Sequence, residues 1–333
     1  MPELLEAEAR EGAALPGPSR RGGTATPDPA NGREVQEPQV PGGGPGGGAP
    51  WLLLTLPAIL AYVVLLLLPT LAAMALAFTD YELGAGGFAW IGLDNFAELL
   101  RDRGFRQSFA NTLFYVAVVT PGSIFGALAI ALLIEGGRRG RTLFRALFFL
   151  PVVSLTVAMA TAWQYLLHPT IGPLNAMLRQ VGVAGPAWLS DSGMVMWSLA
   201  GIGIWENLGF NLVLFLAGLT AIPRELYAAA EVDGAGSAWA RFRLVTWPML
   251  GPTTLFILTI TMIRAVRVFD TVKVLTQGGP AKASEVLLHT MYQEGFTFFR
   301  LGYSAAITLV FLVIVLALMW LQTRLLDKRV HYA

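Results

Sequence analysis

The chain has 333 residues, 55% of them hydrophobic and 14% charged, with a formal net charge of +1. A soluble domain carries about 25% charged residues, so the deficit points to lipid as the main solvent, and near-neutrality gives no bulk attraction to an acidic partner such as nucleic acid. The absence of cysteine excludes disulfides, thiolate nucleophiles and Cys metal sites, and His168, His289 and His331 lie far apart in sequence, which argues against a metal cluster.

Residues 1–50 are rich in Gly, Pro, Ala and Glu and end in Gly42-Gly43-Gly44-Pro45-Gly46-Gly47-Gly48. They offer too little apolar surface to offset ordering entropy, which predicts a disordered tail. No apolar core stands between a basic start and a small-residue cleavage site, so a signal peptide is not expected. Six apolar stretches follow, at about 52–78, 109–134, 144–167, 194–221, 253–275 and 301–323. A helix needs roughly 20 mostly apolar residues to cross the ~30 Å hydrocarbon layer. Backbone groups in lipid must be satisfied internally, and alternating barrel strands are absent. The expected fold class is therefore all-α, a polytopic membrane protein with about six transmembrane helices over residues 51–333.

Three loops share one side of this scheme. Residues 80–108 contain Gly92-Leu93-Asp94-Asn95-Phe96 and an amphipathic stretch through Leu100, which reads as an interfacial helix or as a contact surface for an external partner. Residues 168–193 carry the turn points Pro169, Gly172, Pro173, Gly185 and Pro186, and a third loop holds Gly278-Gly279-Pro280. The opposite side holds ten basic residues: Arg138, Arg139, Arg141, Arg145, Arg224, Arg241, Arg243, Arg324, Lys328 and Arg329. The first side has six (Arg101, Arg103, Arg106, Arg179, Lys282 and Arg300) over longer loops. The bias places both termini and residues 222–251 in the cytoplasm.

Residues 222–251 are too polar to span. Ala228, Ala229, Ala230 and Glu231 favour helix. Asp233-Gly234-Ala235 then forces a turn. Ser237 suits the N-cap of a second helix running to about Val245, and Pro248 is expected to end the element. The result is a bent knuckle with an alanine face, and Glu231, Arg241 and Arg243 as rim charges, either docking into a soluble partner or lying on lipid headgroups.

The fourth stretch carries Glu206, Asn207 and Asn211; the fifth carries Arg264 and Arg267, then Asp270 and Lys273. Ionisable groups at membrane depth cost roughly 2.5–3.5 kcal/mol on insertion scales and face an interior or an aqueous path. Asn207 and Asn211 share a helix face and can line a path for hydroxylated solutes or bond helices together. Arg267 and Asp270 are three apart and can pair along a helix, and Glu206 can neutralise Arg264. Trp163, Tyr165 and Phe269 are aromatics of these stretches that can stack on a solute or face lipid. Residues 136–142 lack the lysine and spacing of a phosphate loop, and the chain has no His-x-x-x-His pair or Gly-x-Ser-x-Gly turn. No catalytic role, and no cofactor bound by this chain, is expected.

Several motifs carry a resemblance. Ala228-Ala229-Ala230, Asp233-Gly234-Ala235, Phe242 and Pro248 are similar to the cytoplasmic signature loop of binding-protein-dependent ABC importer permeases, with Ala228 where that signature has Glu. Asn111-Thr112, Phe148-Phe149-Leu150-Pro151, Gly218-Leu219, Ile222-Pro223, Phe269-Asp270 and Thr276-Gln277-Gly278-Gly279-Pro280 resemble the carbohydrate-uptake branch, on the maltose and glycerol-3-phosphate permease pattern. The resemblance covers about 52–333. It implies a type I importer permease fold in a bacterial inner membrane. It also implies a second homologous permease, two ABC ATPase subunits that use ATP and Mg, and an extracytoplasmic solute-binding protein. The substrate would be a carbohydrate, or alternatively a polyol phosphate. An ATP-independent secondary transporter is the alternative from a different class; neither an internal repeat nor a dense carboxylate cluster favours it.

Overall fold

The computed structural model describes residues 48–136 and 141–326. The expected tail over residues 1–47, and the basic residues Arg138, Arg139, Lys328 and Arg329, fall outside that range. Two compact units divide the chain at Leu60. In the first, the described residues are helical from Gly48.

In chain order the helices are α1 (Gly48–Tyr62), a π turn (Val63–Leu67), α2 (Leu68–Leu76), α3 (Asp94–Arg101), α4 (Arg103–Gly136), α5 (Arg141–Val153) and α6 (Thr156–Leu166). Then come α7 (Pro173–Gln180), α8 (Val195–Thr220), α9 (Arg224–Val232), α10 (Ala238–Arg241), a π turn (Phe242–Thr246), α11 (Trp247–Met249) and α12 (Gly251–Val266). The last are α13 (Asp270–Leu275), α14 (Leu287–Tyr292), a π turn (Gln293–Thr297) and α15 (Leu301–Leu326). The only pairing of strand type among the described residues is an isolated bridge between Thr79 and Trp90.

Among the described residues, four helices are long and apolar enough to cross a membrane: Thr55–Leu76, Arg103–Gly136, Val195–Thr220 and Leu301–Arg324. Two of the six expected stretches are interrupted rather than single helices. The third stretch is broken: Ala146–Val153 and Thr156–Leu166 meet at 111°, making a fifth crossing only if taken as one span. Pro151 lies just before the break, where it removes a backbone donor. The Ser154 amide bonds Pro151 O at 3.3 Å instead of reaching back a full turn. Its hydroxyl then donates to the Leu150 carbonyl that this leaves open, at 2.8 Å. The fifth stretch is also interrupted. α12 has 16 residues, about 24 Å at 1.5 Å per residue, short of the ~30 Å layer. It stops at Arg267, and α13 begins at Asp270.

The second unit is built on α4 and α8. Buried residues of α4 recur at helical spacing through Tyr115, Val119, Ser123, Ala127 and Ala131. Toward one end α4 and α8 pack with α12 through Val119, Leu199, Ile202, Ala265 and Val266; toward the other, Ala127, Leu128, Phe215, Leu219 and Ile257 fill the space. Apolar burial gives helices no advantage over lipid, so close approach through small residues matters. Gly209 shows this: a side-chain carbon there would run into the Phe148 carbonyl of α5. A third cluster joins α2, α3, α14 and α15 through Ala77, Leu99, Leu287, Tyr303 and Ile307.

Side-chain amides fix the loops at the end of the bundle opposite residues 222–251. Asn95 donates to the carbonyls of Ala77 and Thr79 at 2.9 and 2.8 Å, which holds α3 against the end of α2. Asn175 donates to Pro169 O and Pro186 O at 3.0 and 3.1 Å and accepts from Trp188 Nε1 at 2.6 Å, closing the 168–193 loop on itself.

Candidate functional site

The two breaks in the helices meet. A cavity of about 170 Å³ opens where α4, α6 and α8 face residues 264–271, and its lining includes Tyr115, Thr156, Glu206, Asn207, Arg264, Arg267, Phe269 and Asp270. Five of the six sequence-predicted path residues are thus brought to one place: Glu206, Asn207, Arg264, Arg267 and Asp270. A helix break explains the gathering. Unwinding after Val266 lets Phe269, which a continuous helix would turn to the opposite face from Arg267, share the space that Arg267 and Asp270 line.

The expected pairings differ from those observed. Arg267 and Asp270 do not share a helix; Arg267 caps α12 and Asp270 opens α13. Among the described residues, no ion pair within 4 Å joins Arg267 to Asp270 or Glu206 to Arg264. The Arg264 guanidinium lies 4.1 Å over the ring of Phe210 instead. Such a cation–π contact contributes roughly 0.5–2 kcal/mol while leaving the fork of N–H donors free. Asn207 donates to Gly203 O at 2.8 Å, which spends one donor and leaves its oxygen as an acceptor.

Asn211 stands apart. It is fully buried and does not line the cavity. It donates to Ser123 Oγ at 3.3 Å and accepts from Thr261 Oγ1 at 3.0 Å, so it joins helices. Of the three proposed stacking aromatics, Phe269 lines the cavity, Trp163 packs edge-on against Trp205 at 5.4 Å, and Tyr165 lies on a separate cleft. Tyr115, Thr156 and Thr271 complete the cavity but were not singled out from sequence. Nothing in a uniform apolar run distinguishes one hydroxyl from another.

At the far end of α8, residues 222–251 form two helical arms. α9 closes in a Schellman arrangement: Ala235 N bonds Ala230 O at 2.8 Å and Gly234 N bonds Glu231 O at 3.2 Å, with Gly234 at φ +93°. Ala228, Ala229, Glu231, Asp233 and Gly234 are exposed, Ala230 is half-buried, and Ala235 is buried beneath the turn. Ser237 Oγ accepts from Ala240 N at 3.0 Å and caps α10. Tyr227 OH lies 3.1 Å from Thr246 Oγ1 and braces the first arm against the second. The Phe242 ring stacks on Trp239 at 5.5 Å and lies 6.0 Å from Trp247; Arg241 is half-buried beside it, and Arg243 is exposed. Pro248 does not end the second arm. It follows directly on the π turn, inside helical backbone that runs without a gap from Ala238 to Met249, and the turn comes at Leu250.

The opposite end carries an ionic cluster. Arg300 bonds Glu98 at 2.6 Å and Glu294 at 3.4 Å. Burial works against the Arg300 charge, but the hydrogen bond and charge of Glu98, aided by Glu294, hold its pKa above the ordinary arginine value. Burial raises the Glu294 pKa; Arg300 pulls it back only in part. Beside this cluster, Asn111 donates to Ala283 O at 3.0 Å and Glu285 O at 2.8 Å, and Thr112 Oγ1 accepts from Leu287 N at 3.0 Å. The Asn111-Thr112 motif therefore fastens the loop that contains Thr276-Gln277-Gly278-Gly279-Pro280.

Comparison with known proteins gives a consistent result. A family described as "Binding-protein-dependent transport system inner membrane component" matches residues 122–332. The chain is 33% identical over 285 residues to the sn-glycerol-3-phosphate transport system permease protein UgpA of Agrobacterium fabrum, covering 84% of this chain and 95% of that protein. It is 33% identical over 279 residues to the probable ABC transporter permease protein YurN of Bacillus subtilis, covering 83% and 94%. The fold is similar to a chain of a bacterial ABC transporter involved in the import of the acidic polysaccharide alginate, with TM-score 0.73 and 24% identity, covering 84% of this chain and 96% of that one. A multi-pass helical bundle and a family match across most of it lead to one conclusion: the chain belongs to the inner-membrane permease subunits of binding-protein-dependent ABC transporters, and is not itself an enzyme.

Proposed function

We propose that this subunit conducts a carbohydrate through an ATP-driven importer, with its solute delivered by an extracytoplasmic solute-binding protein. The cavity bounded by Glu206, Asn207, Arg264, Arg267 and Asp270 is the path. The observation that carries this reading is the meeting of two broken helices around donors and acceptors of both signs. Irregular backbone at membrane depth is tolerated where it lines a cavity. Hydroxylated solutes suit such a lining, because each hydroxyl both donates and accepts.

Energy enters at residues 222–251. The exposed alanine face of α9, the Gly234 turn and the rim residues Glu231 and Arg241 form the surface for a separate ABC ATPase, on the cytoplasmic side with both termini. Two such ATPases, which use ATP and Mg, and a second homologous permease complete the assembly. Coupling requires that the ATPase bind this loop differently in the two states of the transporter.

One observation favours a second substrate reading. Arg264 and Arg267 have no carboxylate within 4 Å among the described residues, and a relative is a glycerol-3-phosphate permease. A polyol phosphate is the alternative cargo. The test is uptake into vesicles holding the assembled importer, comparing neutral sugars with sn-glycerol 3-phosphate. ATP-dependent uptake of sugar supports the first reading and of the phosphate the second. Uptake that persists without the ATPase sinks both.

A further inference from the structure

A second cleft, of about 720 Å³, lies at the end of the bundle opposite residues 222–251, between the C-terminal half of α6, the end of the 168–193 loop and the start of the 276–280 loop. We propose that it is an outer subsite that holds a neutral sugar ring before the solute reaches the charged cavity. This rests on the importer reading above and adds a place and a chemical class to it.

The lining carries the inference. No Asp, Glu, Lys or Arg is present in it, whereas four charged residues line the inner cavity. Tyr165 presents an exposed ring, and its hydroxyl has no protein partner among the described residues. Gln164 uses its amide nitrogen on Val274 O at 3.3 Å, which leaves its oxygen as an acceptor. His168 Nδ1 accepts from the amides of Thr170 and Ile171, both at 3.3 Å, so its neutral ring carries the proton on Nε2, a donor with no protein partner. Ser190 adds an unpaired hydroxyl. One aromatic face with uncharged donors and acceptors around it fits a neutral polyhydroxylated ring and gives an anion no cationic partner. The volume lies within the usual ~300–1,000 Å³ of small-molecule sites.

The cleft is connected to the inner cavity by structure. Thr156 on α6 and Thr271 on α13 line the cavity; Gln164 on α6 and Leu275 on α13 line the cleft. The same two packed helices thus wall both, and Thr156 and Gln164 are eight residues apart, about 12 Å along a helix.

The cysteine-free sequence allows a direct test. In the assembled importer, Ser190→Cys supplies a thiol on this chain at the wall of the cleft. Its modification by a membrane-impermeant maleimide is followed by the mass of this subunit, with and without saturating maltose, trehalose or sucrose. The expected result is that at least one sugar slows labelling by more than half, that Tyr165→Ala abolishes the protection while Tyr165→Phe keeps it, and that Arg264→Ala leaves it intact. Labelling unaffected by every sugar overturns the subsite, as does protection that survives Tyr165→Ala. Equal protection by sn-glycerol 3-phosphate overturns the neutral-ring assignment. ATP hydrolysis stimulated by solute-loaded binding protein is measured in the same preparations. If it is present while protection is absent, the subsite alone falls; if it is absent, the importer reading falls and the subsite with it.

Discussion

Asn211 on α8 accepts a hydrogen bond from Thr261 on α12 at 3.0 Å while donating to Ser123 on α4 at 3.3 Å, so one fully buried amide joins three helices. Interhelical hydrogen bonds in membranes average about 0.6 kcal/mol and reach about 1.7. Replacing Asn211 with Ala removes both bonds and leaves the buried Thr261 hydroxyl without its acceptor, while Ser123 Oγ keeps its bond to Thr120 O at 3.2 Å. We expect a loss of about 1–2 kcal/mol in stability, read as a lower melting temperature in detergent, with uptake per folded complex close to that of the parent. A large uptake defect without destabilisation would place Asn211 on the path after all.

The cavity residues should behave in the opposite sense. Arg267 is exposed and makes no ion pair within 4 Å among the described residues, so Arg267→Ala should change stability by no more than about 0.5 kcal/mol. Uptake should fall at least about tenfold, equivalent to about 1.4 kcal/mol of lost solute interaction. Glu206→Gln, which keeps shape and removes charge, should shift the preference among neutral and anionic solutes. Competition assays with both classes measure it; unchanged rates and preferences in both variants would remove this cavity from the path.

Gly234 adopts φ +93°, and a side-chain carbon there would meet nothing within 4 Å. The cost of Gly234→Ala is therefore conformational, about 1–2 kcal/mol for left-handed backbone. The expected result is a distorted end of α9 with an intact bundle: weaker co-purification with the ATPase and fewer solutes moved per ATP. Gly234→Asn should recover much of the loss, because Asn visits this region more readily. Full coupling after deletion of residues 228–236 would remove the docking role of this loop.

Glu294 gives a pH prediction. Its folded pKa is raised by burial, with Arg300 opposing. The folded state then binds more protons than the unfolded state between the ordinary value of 4.5 and the raised one. The group's contribution is fully present below 4.5 and is lost as pH rises through the folded pKa. Stability measured upward from pH 4.5 should fall across that window, and Glu294→Gln should flatten this part of the profile. A variant with the parent's slope would assign the dependence to another group.

Asn111 reaches across 174 residues of sequence to Glu285 O. Asn111→Ala strips a donor from two carbonyls, those of Ala283 and Glu285. The expected cost is about 1–3 kcal/mol, with faster hydrogen exchange over residues 276–287 and little change in 222–251. Uniform exchange throughout the chain would mean that the loop is held by other contacts.

Much of the scaffold was legible in the sequence. Long apolar runs without alternation specify helices, because lipid offers no partner for an unpaired backbone group. The Asp233-Gly234 turn and the Ser237 cap were legible because both are local: glycine adopts positive φ without steric cost, and a cap needs a hydroxyl three residues from an amide. Composition also set the solvent, since so few charges cannot cover a soluble surface.

The tertiary structure decided which polar residues meet. Asn207 and Asn211 are the same residue type on one face of one helix, yet Asn207 borders the cavity and Asn211 binds neighbouring helices, because the facing chain changes within a single turn. Pro248, read as a stop, is accommodated inside continuous helical backbone because the π turn Phe242–Thr246 just before it widens the hydrogen-bond register. Arg264 looked like a partner for Glu206 but rests on Phe210. Each of these outcomes depends on which atoms lie across a gap from another segment, which is not encoded in the local run of residues; the periodicity and turn chemistry that a sequence displays concern neighbours along the chain.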